Sequence, residues 1–218
     1  MDQPNVAAGC GRRGWLLAAA LLFAPLQPAQ GETEALEFRG TPWAAAADRH
    51  GLEPGLLYAL TLVESRHRSG PDRVSPWPWT IHGPGGGRWF DSQEEARAAL
   101  AEMLERWPAK RIDVGAAQIN VGWHEDIIDD PLRLLDLDYN LEVAAQILAR
   151  AVQSTSDPVL GVGRYHAWVD QARSRRYGRK VWRMYSDLLA GRGSTVGRYV
   201  LGPEDGPAMA ARQLAENR

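Results

Sequence analysis

Residues 57–66, Leu-Tyr-Ala-Leu-Thr-Leu-Val-Glu-Ser-Arg, place a carboxylate where an amphipathic helix should carry an apolar side chain. Leu56, Leu57, Leu60 and Val63 recur at helical spacing and mark the face expected to turn toward a core. Glu64 lies on that face, four residues after Leu60 and seven after Leu57. An ionised carboxylate there would lose much of its hydration, which raises its pKa. A carboxyl that keeps its proton near neutral pH can give it to a poor leaving group such as a glycosidic oxygen. Read instead as a boundary residue, Glu64 would reach solvent or pair with Arg66 or Arg68, as buried acids usually do. His67, at i+3, either hydrogen-bonds to it on a helix or stands solvated.

Outward from this stretch the chain reads mostly as helix. Thr41-Pro42 forms a cap and first-turn pair for a helix through Ala47 and His50 that Gly51 stops, and Pro54 opens the helix carrying Glu64. Ser92 and Glu95 make a capping box for a helix of Ala98, Leu100, Met103 and Leu104 that ends before Pro108. Asp138 is expected to cap a helix whose Leu141, Ala144, Ile147, Leu148, Ala151 and Val152 face a core. Asp157-Pro158 signals another start, and Tyr177, Val181, Met184, Tyr185 and Leu188 outline a last helix closed by Gly191.

Between the Glu64 helix and residue 113 the pattern changes. Ser75-Pro-Trp-Pro-Trp-Thr-Ile81 carries two prolines that exclude helix, His82 to Gly87 reads as a turn, and Trp89-Phe90 returns, so a short Trp-rich β-hairpin is expected among the helices. Its indoles either close a small hydrophobic cluster or, with Trp79 the foremost, wall a sugar-binding groove beside Glu64.

The ends set the compartment and the charge. Arg12 and Arg13 precede an apolar run from Trp15 to Phe23, followed by Pro25, Pro28 and the small residues of Ala29-Gln30-Gly31. This reads as a secretory signal peptide over 1–31, too short in its apolar part to span a bilayer. Cys10 leaves with it, so neither disulfides nor thiolate chemistry are expected in the mature protein. The full chain carries a formal net charge of −2, and losing Asp2, Arg12 and Arg13 makes it slightly more negative, which argues against nucleic acid as the main partner. One domain is expected over 32–191, with 192–218 as a mobile tail. The five histidines show no metal-ligand spacing, and no cofactor motif is present.

Asp113-Val-Gly-Ala-Ala-Gln-Ile-Asn120, taken with Glu64-Ser65 and Tyr165-His166, resembles the soluble lytic transglycosylases. Their pattern is Glu-Ser, then Gly-Leu-Met-Gln-Ile-Asn, then Ala-Tyr-Asn. The resemblance covers roughly residues 41–190, and the inserted hairpin resembles a subgroup associated with conjugative transfer and secretion machines. It implies a mainly α, lysozyme-like helical domain acting in the periplasm on peptidoglycan glycan strands, with components of an envelope-spanning machine as partners. It makes Glu64 the sole catalytic acid/base and Ser65 a residue that orients it or contacts substrate. Gln118 and Asn120 would bind an N-acetyl group or fix the loop, and Tyr165 would stand near the catalytic carboxyl. His166 stands where the pattern has Asn, Arg164 precedes Tyr165 in place of a small residue, and Ala116-Ala117 replaces Leu-Met, which is expected to remove a bulky wall and loosen a sugar subsite. Asp113 either braces its loop or positions a water, the latter converting the reaction into a muramidase hydrolysis. A noncatalytic glycan-binding assembly protein is the third reading. The basic run from Arg173 to Arg183 is either a solvated helix face or a surface for acidic stem peptides.

Overall fold

A computed structural model describes residues 36–193 and 197–201, so the expected leader and residues 202–218 of the expected tail lie outside the described residues. In chain order the elements are α1 (Pro42–His50), α2 (Pro54–Ser65), β1 (Arg66–Gly70), β2 (Arg73–Pro76), β3 (Thr80–Gly83), β4 (Gly86–Trp89), α3 (Gln93–Arg106), β5 (Asp113–Val114), β6 (Ile119–Asn120), α4 (Leu137–Gln153), α5 (Pro158–Arg164), α6 (Gln171–Leu189) and β7 (Arg198–Tyr199). Helix accounts for about 53% of the structure, but the strands make the class mixed α/β, a correction to the expectation of a mainly α fold with one hairpin.

The helix boundaries follow capping chemistry. Thr41 Oγ1 accepts from Ala44 N at 3.2 Å, Pro42 starts α1, and Gly51 ends it in the left-handed region at φ 65°. Ser92 caps α3 by accepting from Glu95 N, and Asp157 caps α5 by accepting from Val159 N and Leu160 N. The cap of α4 is Asp136, which accepts from Tyr139 N, with Asp138 already inside the first turn. The expected cap was two residues late because either aspartate satisfies the same sequence rule and only the backbone chooses.

Helix α2 is the spine of the core. Residues 55–62 are buried without interruption, and Leu57, Leu60 and Leu62 are each fully enclosed, which stabilises the fold by about 1.5–3 kcal/mol per side chain. The helix is therefore apolar on nearly every side, whereas one apolar face was expected, and Val63 is only half-buried. It packs on α1 and α6. Trp43 Nε1 donates to Thr61 Oγ1 at 3.1 Å, which satisfies both buried groups. Helices α5 and α6 approach backbone to backbone: a Cβ at Gly163 would collide with the Ser174 carbonyl, and one at Gly178 with the Val159 carbonyl.

The strands form two small sheets. One has the order β4-β3-β5-β6, all antiparallel, and contains a hairpin paired from Thr80↔Trp89 to Gly83↔Gly86 around a two-residue Pro84-Gly85 tip. Its first strand is shorter than the expected Ser75–Ile81, because Ser75-Pro76 fall in β2 of the other sheet and Trp77 to Trp79 lie outside the strands. The other, β1-β2-β7, was not expected. There Arg198-Tyr199 pairs in parallel with Arg73-Val74, and Tyr58 Oη donates to Val200 O at 2.7 Å. Residues 197–201 thus belong to the folded unit, contrary to the tail expected from 192 onward. The buried phenol of Tyr58 needed an acceptor, and this segment supplies one.

Asn140, only 1% exposed, ties α4 to its surroundings. Its Oδ1 accepts from Ala117 N at 2.9 Å, and its Nδ2 donates to Val114 O at 3.0 Å and Leu134 O at 2.9 Å. Asn140→Ala leaves three buried backbone groups without partners and should lower the unfolding free energy by about 3 kcal/mol. Urea denaturation measures this directly, and a loss below about 1 kcal/mol would show that the clamp is dispensable.

Candidate active site

Glu64 is the penultimate residue of α2, and the chain turns extended at Arg66 (φ −50°, ψ 133°), so the carboxyl stands where the buried helix reaches the sheets. Ser65 fixes that end: its Oγ donates to Ala116 O at 2.6 Å and accepts from Trp77 N at 3.1 Å. Tyr177, from the middle of α6, donates its hydroxyl to Glu64 Oε1. Burial raises the Glu64 pKa from an ordinary 4.5 to about 7. The Tyr177 hydrogen bond and the Lys180 ammonium pull it down, and the Asp113 charge pushes it up. Neither Arg66 nor Arg68 pairs with Glu64.

The strand-turn-strand from Asp113 to Asn120 forms the second side. Gly115 turns at φ 85°, and a Cβ there would strike the Asn140 amide and the Leu134 carbonyl, so only glycine fits. Gln118 is the one described non-glycine residue at positive φ, 48°. Its Nε2 donates to Gly115 O at 2.9 Å and Thr80 O at 3.2 Å, which uses both amide hydrogens and leaves Oε1 as the end able to accept from a ligand. Tyr165 Oη donates to Ala117 O at 2.8 Å, so Ser65 and Tyr165 hold consecutive carbonyls of the turn. The side chains of Ala116 and Ala117 are fully buried, so the alanine pair fills core space and does not open the wall that was expected to be missing.

Asp113 lies on β5, with Oδ1 accepting from Asn120 Nδ2 at 2.8 Å and Oδ2 3.7 Å from His82 Nδ1. Its side chain keeps about a third of its exposure, and its charge is felt at Glu64, Tyr165 and His166. An aromatic stack closes the other side: the His166 ring lies on Tyr177 at 4.7 Å and 8°, and Tyr165 stacks on Tyr177 at 6.5 Å. Burial and the Glu64 charge hold both phenols well above their usual range, so they remain hydrogen-bond donors. Burial, with Arg173 and Lys180 nearby, lowers the His166 pKa and favours the neutral ring.

Several expected residues play other parts. Asn120 is committed to the loop: Nδ2 also donates to Lys110 O at 3.1 Å and Oδ1 accepts from Trp123 N at 3.0 Å. Trp79 is 7% exposed and packs edge-on to Trp77, so it belongs to the core and not to a groove wall, a correction that follows from its inward position beside β3. His67 does not meet Glu64, because the helix stops first; its ring lies against Trp77 and Trp89. Tyr165 stands near the carboxyl as expected, but the hydroxyl on Glu64 is that of Tyr177, read from the sequence only as a core position. Among the described residues no group of three His, Cys, Asp or Glu is placed to hold a metal ion.

The raised Glu64 pKa has a stability consequence. The folded state binds this proton more tightly than the unfolded chain, so there is no penalty below pH 4.5, and one grows between 4.5 and 7 to about 3 kcal/mol above 7. Glu64→Gln keeps an acceptor for Tyr177 without the charge. It should therefore melt with wild type at pH 4.5 and clearly above it at pH 8, and a pH-independent difference in melting temperature would contradict the buried-acid assignment. No protein-family model, curated protein or solved structure matches this chain.

Proposed function

We propose that this protein is a peptidoglycan lytic transglycosylase on a lysozyme-like scaffold. It would cleave the β-1,4 bond between N-acetylmuramic acid and N-acetylglucosamine in the periplasm, and open the wall for a conjugation or secretion apparatus. The observation that carries the reading is the Glu64 carboxyl, held by burial at a pKa of about 7 and oriented by the Tyr177 hydroxyl. Such a group is half protonated at neutral pH and can serve as acid and then as base.

In the first step Glu64 gives its proton to the glycosidic oxygen as the bond from that oxygen to the muramyl C1 breaks. Positive charge develops at C1, where the substrate's own N-acetyl oxygen can stabilise it. Glu64, now ionised, takes the proton of the muramyl C6 hydroxyl, whose oxygen bonds to C1 and closes a 1,6-anhydro ring. The proton count of the enzyme is restored and no water is consumed. Tyr177 can hold Oε1 through both steps, since a phenol donates to a carboxyl carbonyl and more strongly to the carboxylate, which is why this bond lowers the Glu64 pKa. The free Oε1 of Gln118 suits an N-acetyl N–H.

Asp113 favours a second reading. A carboxylate about a third exposed, whose charge reaches Glu64, would give the site the paired acids that glycosidases use and make the reaction a hydrolysis. Mass spectrometry of muropeptides released from purified peptidoglycan separates the two. Transglycosylation yields anhydro products lighter by one water, whereas hydrolysis yields reducing ends that Asp113→Asn would abolish. With Glu64→Gln, product release should drop at least about hundredfold for either chemistry; undiminished release would remove Glu64 from the mechanism.

Because the acid must be protonated, kcat/KM should fall as pH rises through about 7. Tyr177→Phe removes a hydrogen bond that lowers the Glu64 pKa, so its basic limb should move to higher pH while kcat falls about tenfold. An unshifted limb would mean that some other group sets the profile.

A further inference from the structure

Helix α6 carries a feature that the cleavage chemistry does not use. Arg173, Arg176, Lys180 and Arg183 are all exposed and recur at i, i+3, i+7 and i+10, which places them on one face. Among the described residues none of these four is in an ion pair, whereas Arg175 on the same helix pairs with Asp157. The acids at the two ends of the stripe are occupied: Asp170 caps α6 by accepting from Arg173 N, and Asp187 pairs with Arg192. An ordinary helix face intersperses both signs of charge, and this one does not.

The stripe begins at the site. Tyr177 is four residues after Arg173 and three before Lys180, so those two cations flank the phenol that holds Glu64. The Lys180 charge reaches Glu64 and His166, and that of Arg173 reaches His166. From Arg173 to Arg183 the stripe is about 15 Å long, at about 1.5 Å per residue.

We propose that this stripe binds the acidic stem peptide of the muramyl residue held at Glu64, so that the enzyme prefers peptide-bearing glycan over stripped strands. The inference rests on the reading of Glu64 as acting on peptidoglycan. The stem peptide hangs from the lactyl group of the sugar whose bond breaks, so it leaves the reacting centre close by. It carries several carboxylates, and four extended residues span about 14 Å, the length of the stripe. An anionic membrane surface also attracts basic helices, but Arg173 and Lys180 lie one helical turn to either side of Tyr177 and their charges reach His166, that of Lys180 also reaching Glu64, a position suited to a bound chain.

Affinity measured on the full chain with Glu64→Gln isolates binding from turnover. Soluble glycan fragments bearing tetrapeptide stems should bind about tenfold more tightly than the same fragments stripped by an amidase, with the difference shrinking at high salt. Adding Arg176→Gln and Arg183→Gln, both exposed and outside the Glu64 contacts, should reduce that preference to about twofold or less with the melting temperature unchanged. Equal affinity for both fragments, or a preference that survives the double substitution, overturns the proposal. So does loss of sedimentation with phosphatidylglycerol vesicles in the double variant while the peptide preference persists, which would give the stripe to a membrane. A peptide preference retained by a wild-type chain that releases no muropeptides supports the stripe and refutes the Glu64 chemistry, so the two fail separately.

Discussion

A single hydrogen bond between a buried phenol and a buried carboxyl organises the centre of this protein. Glu64 ends a helix that is enclosed on nearly every side, and Tyr177 meets it from α6. An arginine in place of the phenol would pull the carboxyl pKa down by one to three units and keep it ionised. A neutral donor orients the group and leaves its protonation open, so burial sets the value near 7. The resulting penalty of about 3 kcal/mol at neutral pH is a large share of a typical folding stability of about 5–15 kcal/mol. The surrounding core offsets this cost, which the proposed acid/base chemistry would account for.

The second constraint is the turn from Asp113 to Asn120, which is gripped from four directions. Ser65 reaches it from α2, Asn140 from α4, Tyr165 from the end of α5, and the Thr80 carbonyl from β3. Each bond contributes about 1 kcal/mol net, but leaving a buried partner unsatisfied costs more, so the grips act together. Their common effect is to fix Asp113 and Gln118 relative to Glu64, the placement that the proposed bond cleavage would require. The glycine contacts between α5 and α6 do the same for the Tyr165, Tyr177 and His166 rings.

The Trp-rich insert shows how local pattern and tertiary role diverge. Its prolines and glycines marked extended strands and a turn, because those residues act through their own backbone. Which indole faces outward was not encoded locally. Trp79 went into the core, while Trp89, 51% exposed, stacks on His67. The final strand was equally hidden, since two residues pairing with a strand more than a hundred positions earlier leave no periodic signal.

The sequence by itself determined the helices, the caps at Thr41, Ser92 and Asp157, the presence of a hairpin, and an acid at an apolar position, because spacing, capping and turn chemistry are local; the caps at Asp136 and Asp170 were not read from it. It also marked the turn between Asp113 and Gln118 through Gly115. Only the tertiary structure decided the rest. It gave Glu64 a partner 113 residues away, committed Asn120 to its loop, buried the alanine pair, and brought the Lys180 charge within reach of Glu64 and His166. The physical reason is that a hydrogen bond or a charge acts through space, and the distances between remote residues exist only once the core has packed.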